Sequence, residues 1–261
     1  MAFKFASLGS GSQGNGLVVV SDETRVLVDC GFSIKETERR INRLQLDPAS
    51  IEAILVTHEH GDHVGGVAGF SRKYSIPVYC TQGTLLESPT LEGQSNVELI
   101  KGYATFGFKD LLGEPYPVPH DAREPSQFTI KHGELKLGVL TDCGAITPHM
   151  EQQLRGCSAL FIEFNHDKDM LARSQYPQSL KHRISGGFGH INNNQAIGLL
   201  ECINGPELQY VVAAHLSKEN NDPCLVRGLI AQALGWEEEC VDIATQDLGV
   251  DWRVMDASME F

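Results

Sequence analysis

Short apolar runs that end in polar or turn-forming residues recur along the chain. Residues 3–8 alternate between apolar and polar side chains, as a half-buried strand does. Residues 17–20 and 25–28 predict a hairpin around Ser21-Asp22-Glu23-Thr24. The same pattern predicts further strands at residues 53–56, 76–80, 97–100, 104–108, 127–130, 135–140, 159–164 and 210–214. Another strand, at 250–255, could pair between subunits of a homo-oligomer or complete a sheet.

Helical patterns separate many of these strands. Ser33 and Glu36 form a capping box for a helix over residues 34–45. Pro223 begins an amphipathic helix that Gly235 ends. Further helices are predicted near residues 64–74, 148–155 and 194–202, whereas 81–115 shows a poor pattern and 165–195 an irregular one. With no repeat and no low-complexity linker, residues 1–261 are expected to form a single α/β (α+β) domain.

Composition narrows the class of protein. The chain has 261 residues, a net charge of -13 and seven cysteines without a CxxC pair. Scattered cysteines favour reduced thiols and a cytoplasmic protein, and no apolar stretch is long enough to span a membrane. The negative charge argues against a basic surface that coats nucleic acid. It does not exclude a phosphate substrate, because bound metal ions would be the strongest local positive charges.

One loop concentrates metal-binding side chains. Thr57-His58-Glu59-His60-Gly61-Asp62-His63 follows the apolar strand at 53–56. Side chains two residues apart on an extended chain point the same way, so His58 and His60 can hold one ion. Asp62 and His63 follow at the turn into a helix and offer a second pair. The spacing is HxHxDH, not the HExxH of zincins, because Asp62 stands where that motif needs a histidine.

Four other strands end in a histidine or a carboxylate: Asp29, His120, Asp142 and His215. Strand ends on one edge of a sheet lie close in space, so these residues can join the loop. One ion would bind His58, His60 and His120, and a second would bind Asp62, His63 and His215. Asp142 could bridge both ions, which would lie about 3.5–4 Å apart and share an activated water.

These residues, in this order, resemble those of the metallo-β-lactamase-fold hydrolases. The similarity covers essentially the whole chain and is closest to the small YycJ (WalJ)-type branch. It extends to the loop Gly9-Ser10-Gly11-Ser12-Gln13-Gly14-Asn15, to Thr141-Asp142-Cys143-Gly144 and to the segment from Ala214 to Asn221. The resemblance implies a four-layer αββα sandwich with the site at one edge and a nuclease-like phosphodiesterase activity on DNA. Gly189-His190-Ile191-Asn192 departs from the GHLS that this branch more often carries.

The remaining candidate residues have structural alternatives. The resemblance implies that Asp29 supports the metal loop through hydrogen bonds, although a plain turn carboxylate is the alternative. His190 could bind the scissile phosphate or protonate the leaving oxygen, or it could simply pack a loop. Asp62 and His190 are the candidate catalytic residues. The candidate substrate-binding residues are Ser12 and Asn15, in a Gly/Ser loop whose N–H groups could hold an anion, together with Asn165, His166 and His190.

The sequence therefore predicts a binuclear metal-dependent hydrolase. A metal-bridging hydroxide would attack phosphorus in a phosphodiester, with DNA as the partner and an exonuclease-like activity. Histidine-rich ligands favour Zn²⁺, and the carboxylates also suit Mn²⁺. One alternative is a small-substrate hydrolase of the same fold, such as a thioester, lactone or cyclic-nucleotide esterase. Another is a regulatory or binding protein that keeps the metal site without catalysis.

Overall fold

The computed structural model describes residues 3–257 and contains two mixed β-sheets. Its strands are β1 Phe3–Gly9, β2 Gly16–Val20, β3 Arg25–Val28, β4 Ala53–Leu55, β5 Val78–Cys80, β6 Val97–Leu99, β7 Phe106–Phe108, β8 Leu111–Pro117, β9 Ser126–His132, β10 Leu135–Leu140, β11 Ala159–Glu163, β12 Tyr210–Ala214, β13 Asp242–Ile243 and β14 Val250–Met255. Its helices are α1 Ile34–Arg43, α2 Gly61–Val64, α3 Val67–Tyr74, α4 Gln82–Leu86, α5 Pro148–Leu154, α6 Lys168–Arg173, α7 Gln178–Ser185, α8 Asn193–Ile203 and α9 Pro223–Leu234.

The two sheets share one plan. The first runs β14-β1-β2-β3-β4-β5-β6 and the second β13-β12-β11-β10-β9-β8-β7. In each sheet antiparallel pairing gives way to parallel pairing, from β3 to β6 in the first and from β10 to β13 in the second. The carboxyl ends of parallel strands meet at one edge of a sheet. This plan therefore brings the residues that follow β3, β4, β10, β11 and β12 together.

Three apolar clusters form the layers. Alternate residues of the strands, such as Phe5 and Val19, face the second sheet and pack with Phe128, Val139 and Phe161. The intervening residues of the first sheet pack under α1 and α3. The outer face of the second sheet packs under α5, α8 and α9. Successive residues of a strand point to opposite faces, so the continuous apolar runs give each sheet two apolar faces and produce the predicted αββα sandwich.

Two segments differ from the sequence prediction. Residues 165–195 are not irregular throughout, because they contain α6 and α7. No residue of α7 is buried, so this helix has no apolar face that the sequence could reveal. In the stretch 81–115, β6 and β7 lie where strands were predicted at 97–100 and 104–108, whereas α4 and the start of β8 were not predicted. Most of this stretch is not buried, so little of its sequence has a hydrophobic period.

The last strand completes a sheet. β14 pairs antiparallel with β1, with Phe3 opposite Met255 and Phe5 opposite Arg253. Of the two alternatives for this strand, the structure therefore shows the one within a single chain. None of the helices in residues 3–257 is long and apolar enough to cross a membrane.

We predict that Arg40 is a main support of the loop after β1. Its side chain is 6% exposed, and its Nη1 donates hydrogen bonds to the carbonyl oxygens of Leu8 and Gln246, the latter over 2.9 Å. Arg40→Met leaves both carbonyls without this donor and should lower the free energy of unfolding by about 2–4 kcal/mol. Urea denaturation measures the change. Arg39→Met, one residue away but exposed, should change it by less than about 0.5 kcal/mol; equal effects would contradict the prediction.

Candidate metal centre

The metal-binding loop changes from extended chain to helix as it crosses the sheet edge. β4 ends at Leu55, Glu59 lies at a bend, His60 is extended, and Gly61 begins α2. Asp62 and His63 therefore lie on the first turn of a helix. The neighbouring loop approaches closely: a Cβ on Gly31 would lie 1.7 Å from the carbonyl oxygen of Asp62. Only glycine permits this contact, which fixes the position of the second ligand pair.

The structure brings the seven predicted ligands together. One ligand atom from each of His58, His60 and His120 falls within a group no wider than 4.8 Å, and Asp62, His63 and His215 form a second such group. Asp142 lies between the groups. Its Oδ2 is 3.0 Å from His63 Nε2, and its Oδ1 is 3.8 Å from His120 Nε2 and 3.7 Å from His215 Nε2.

The chemistry of these side chains fits divalent ions. His58 Nε2 is buried and has no hydrogen-bond partner among residues 3–257, as expected of a nitrogen directed at an ion. Burial, followed by the charge of His63, holds the pKa of His58 well below its usual range, so this ring offers a lone pair. Burial opposes ionisation of Asp142, yet the charges of His215 and His63 hold the pKa of Asp142 well below its usual range.

Asp29 orients the metal-binding loop through hydrogen bonds with Thr57 and His63. Its Oδ1 accepts a hydrogen bond from Thr57 N at 2.8 Å, and its Oδ2 accepts one from Thr57 Oγ1 at 2.8 Å. Oδ2 also lies 2.8 Å from His63 Nδ1, which leaves His63 Nε2 free for an ion. Asp29 is absent from the ligand groups among the described residues. Its position is that of a support that fixes ring orientation, and not that of an isolated turn carboxylate.

Glu163, at the end of β11, is a functional residue that the sequence analysis missed. It is fully buried and accepts hydrogen bonds from Cys143 N at 3.1 Å and Ile191 N at 3.2 Å. Its Oε1 lies 2.6 Å from His190 Nδ1 and 3.3 Å from His215 Nδ1. A carboxylate that closes the buried strand Ala159–Glu163 was the available signal, since other strands of this chain end in the same way.

His190 faces a cavity of about 220 Å³ that we call the metal cavity. Other residues that line it include Asp62, Asp142, His215, Ser12, Arg183 and Ile184. Burial opposes protonation of His190, but Glu163 outweighs it and raises the pKa of this imidazole. At neutral pH His190 is therefore more readily protonated than an ordinary histidine.

The four other candidate substrate-binding residues separate into two groups. Ser12 is exposed and lines both the metal cavity and an adjoining cavity of about 320 Å³, the side cavity, which Asn165 also lines. Asn15 and His166 are different, because they are 2% and 1% exposed. Asn15 Nδ2 donates a hydrogen bond to Asp62 Oδ2 at 3.1 Å, so Asn15 supports a candidate metal-binding side chain and does not line the substrate cavity. His166 borders neither of these cavities.

We predict that Asp29→Asn weakens metal binding without removing a ligand. The variant keeps the shape of the side chain but loses the charge that holds His63 Nδ1–H. Affinity for Zn²⁺, measured by competition with a chromogenic chelator, should fall about 10–100-fold. Glu92→Gln, on an exposed turn, is the control and should leave the affinity unchanged. Wild-type affinity in Asp29→Asn would show that the hydrogen bond to His63 is dispensable.

Comparison with known proteins identifies the family. Residues 24–215 match the model of the β-lactamase superfamily domain. The chain is 36% identical over 239 residues to exodeoxyribonuclease YycJ of Bacillus anthracis, covering 90% of each chain. It is 30% identical over 263 residues to exodeoxyribonuclease WalJ of Streptococcus pneumoniae, covering 99% of this chain and 95% of that protein.

A solved structure shows the same fold. The metallo-β-lactamase fold protein YhfI from Bacillus subtilis superposes with a TM-score of 0.74 at 15% identity, covering 97% of this chain and 100% of YhfI. Both sheets and the helices on their outer faces are thus those of the metallo-β-lactamase fold. The chain belongs to the β-lactamase superfamily and, within it, to the group of the YycJ and WalJ proteins.

Proposed function

We propose that this chain is a metal-dependent phosphodiesterase that acts on nucleic acid, with DNA as its substrate. The observation that carries the proposal is the cluster of seven candidate ligand side chains, four of which, His60, Asp62, Asp142 and His215, line the metal cavity together with His190. Both relatives with high coverage are named exodeoxyribonucleases, which supports an exonuclease-like activity. The chain is accordingly a hydrolase of the metallo-β-lactamase fold.

Two divalent ions fit the ligand groups. We assign His58, His60 and His120 to one ion, Asp62, His63 and His215 to the other, and Asp142 to both. Three histidines in one group suit Zn²⁺, and the two carboxylates also suit Mn²⁺. When bound, such ions supply a water of lowered pKa and positive charge for the phosphoryl oxygens.

Protein hydrogen bonds orient the ligands in advance. His120 Nδ1 lies 3.0 Å from the carbonyl oxygen of Gly189, and His60 Nε2 lies 3.2 Å from that of Asp121. Each ring thereby donates from one nitrogen and presents the other to the cluster. Asp62 makes its contacts with Asn15 and His215 through Oδ2. Asp62 lines the metal cavity, and hydrogen bonds from His215 and His63 outweigh its burial and hold its pKa well below the usual range, so it would bind an ion as a carboxylate.

His190 is suited to donate a proton to the leaving oxygen. Glu163 accepts from Nδ1, which turns Nε2 away from the buried carboxylate, and the side chain of His190 is 21% exposed. The raised pKa keeps the ring protonated to higher pH. A proton donor at this place converts the leaving alkoxide into an alcohol, a contribution of about 10²–10⁴-fold in rate.

The lining of the metal cavity favours a phosphodiester over the thioester and lactone among the small-substrate alternatives. Leu180 and Ile184 are its apolar side chains, and most of the others are charged or polar. Arg183, which is largely exposed, stands beside Asp121, with Nε 2.7 Å from Oδ2. A thioester or lactone esterase would need a closed apolar pocket for the acyl chain. A guanidinium beside the metal ligands is instead suited to a phosphate.

The proposal is tested by assaying the purified chain with Mn²⁺ or Zn²⁺. End-labelled single- and double-stranded DNA and RNA, bis(p-nitrophenyl) phosphate, a thioester and a lactone would be the substrates. We expect cleavage of DNA, with labelled products that show whether it starts at an end, and loss of activity after chelation. Hydrolysis of the thioester or lactone without cleavage of any nucleic acid would refute the nuclease assignment.

Two substitutions separate metal binding from proton transfer. Asp142→Ala should lose bound metal and activity together, because it removes the side chain shared by both ligand groups. His190→Ala should keep its metal and lose about 10²–10⁴-fold in kcat.

The same proton donor predicts a pH dependence. In the wild type the rate should fall as pH rises through the elevated pKa of His190, and this falling limb of the pH–rate profile should be absent in His190→Ala. Metal analysis and pH profiles check both; full activity in His190→Ala would remove this residue from the mechanism.

A further inference from the structure

Helix α7 separates two cavities. Leu180, Arg183 and Ile184 line the metal cavity on one side. Gln178, Lys181, His182 and Ser185, at helical positions i, i+3, i+4 and i+7, line a second cavity of about 560 Å³. Spacing of three and four residues places the second set on one face of the helix. Since α7 buries none of its residues, each face serves a cavity and not the apolar core. We call the second one the α7 cavity.

The α7 cavity is rich in groups that bind anions and nucleobases. Lys168 and Lys181 line it, as do the amides of Gln178, Asn192 and Gln195. Lys168 is exposed and has no ion-pair partner within residues 3–257. Lys181 Nζ donates to the carbonyl oxygen of Ala172 at 2.6 Å, which holds the ammonium group at the junction of α6 and α7.

His166 gives the α7 cavity a buried acceptor. The residue is 1% exposed and borders the cavity. Its Nδ1 lies 3.3 Å from Asn165 Oδ1, an atom that only accepts, so Nδ1 carries the proton. Burial lowers the pKa of His166 to about 4, and the ring is neutral at pH 7. In the described part of the chain, Nε2 has no hydrogen-bond partner and can receive one N–H from a ligand.

Local charge favours a nucleic-acid strand at this place. Residues 165–195 carry four basic side chains, Lys168, Arg173, Lys181 and Arg183, against the two acids Asp167 and Asp169. The chain as a whole has a net charge of -13. Potential at a surface is set by charges within about 8–10 Å in physiological salt. A polyanion is therefore attracted to α6 and α7 and repelled by much of the remaining surface.

We propose that the α7 cavity binds a nucleotide of a single-stranded nucleic acid whose scissile phosphate lies in the metal cavity. This inference rests on the proposed nuclease function. Lys168 and Lys181 bind phosphate, while the amides and His166 bind the edge of a base. The strand crosses α7, past Arg183. A helix with its side chains is about 10 Å wide, so the strand needs more than one nucleotide to cross it.

The span across α7 makes substrate length the decisive variable. A dinucleotide fills the metal cavity but does not reach the α7 cavity, whereas a single strand of about twelve nucleotides occupies both. The test uses the double variant Lys168→Ala with Lys181→Ala and the single variant Lys168→Ala. The Lys168 side chain makes no hydrogen bond or ion pair with residues 3–257, so the single variant remains informative if the loss of the Lys181 contact destabilises α7. Lys35→Ala, an exposed lysine on α1, is the control.

Binding is measured first, with protein from which metal has been removed by a chelator, so that the strand is not cleaved. Fluorescence anisotropy of the labelled strand is recorded at several salt concentrations. The double variant should raise Kd about 10-fold and reduce the slope of log Kd against log salt by about 1.4, since each phosphate contact contributes about 0.7 for a single strand. Lys168→Ala should give about half of that change in slope. With metal restored, kcat/KM should fall for the long strand and stay at the wild-type value for the dinucleotide.

Three results would overturn the inference. In the first, the double variant keeps the wild-type Kd and salt slope. In the second, the wild-type chain does not bind the strand. In the third, the double variant loses kcat/KM equally for the dinucleotide and for the long strand. Failure of the nuclease function is a separate outcome. In that case the wild type would cleave no nucleic acid, while the strand would still bind through Lys168 and Lys181 to the protein from which metal has been removed.

Discussion

The orientation of the histidine rings is the constraint on which the site depends. Each ring has two nitrogens, and an ion needs the lone pair of one of them. Here the second nitrogen of each ring donates a hydrogen bond to an acceptor in the fold. The acceptor is Thr57 Oγ1 for His58, Asp29 for His63, and Glu163 for His190 and His215. Thr57 Oγ1 in turn donates to Asp29. Two buried carboxylates thus determine the direction of four imidazoles before any ligand arrives.

Those carboxylates impose a requirement on the fold. Asp29 and Glu163 are 1% and 0% exposed, and a buried charge is costly unless it is fully hydrogen-bonded. Both lie where a parallel strand ends, Asp29 just after β3 and Glu163 as the last residue of β11. At such an edge, backbone N–H groups and side chains of neighbouring strands and loops converge. The plan of the two sheets therefore supplies the partners that let these charges stay buried.

The sequence predicted the parts of this arrangement that repeat locally. Short apolar runs that end in polar or turn residues revealed most strands, and HxHxDH supplied four candidate ligands within six residues, which the structure groups together. The strand-end rule then found His120, Asp142 and His215, although they lie far apart in the chain. Glu163 also ends a strand, so the same rule marks it as a candidate. Its role as the acceptor beside His190 and His215 rests on contacts with residues 20 to 52 positions away, which the rule does not record.

The same reasoning explains why α7 was not predicted. Sequence periodicity reports burial, and α7 buries none of its residues. Its regularity is instead chemical: Gln178, Lys181 and His182 face one cavity, whereas Leu180, Arg183 and Ile184 face another. Leu180 and Ile184 are its only half-buried apolar side chains, so α7 lacks the longer apolar stripe that marks a helix in a sequence. Stretches without a hydrophobic period can therefore be the most informative about substrate contacts.

The acidic net charge is compatible with a nucleic-acid substrate for a related reason. Screening restricts each surface charge to its own neighbourhood of about 8–10 Å. A strand that approaches the acidic surface is repelled, and one that approaches α6 and α7 is attracted. Under the proposed function, net negative charge would suppress non-specific adsorption, while the local positive charge would position the strand beside the candidate metal ligands. On this argument the acidic composition contributes to specificity, because a strand is retained only where it can also reach His190 and Asp142.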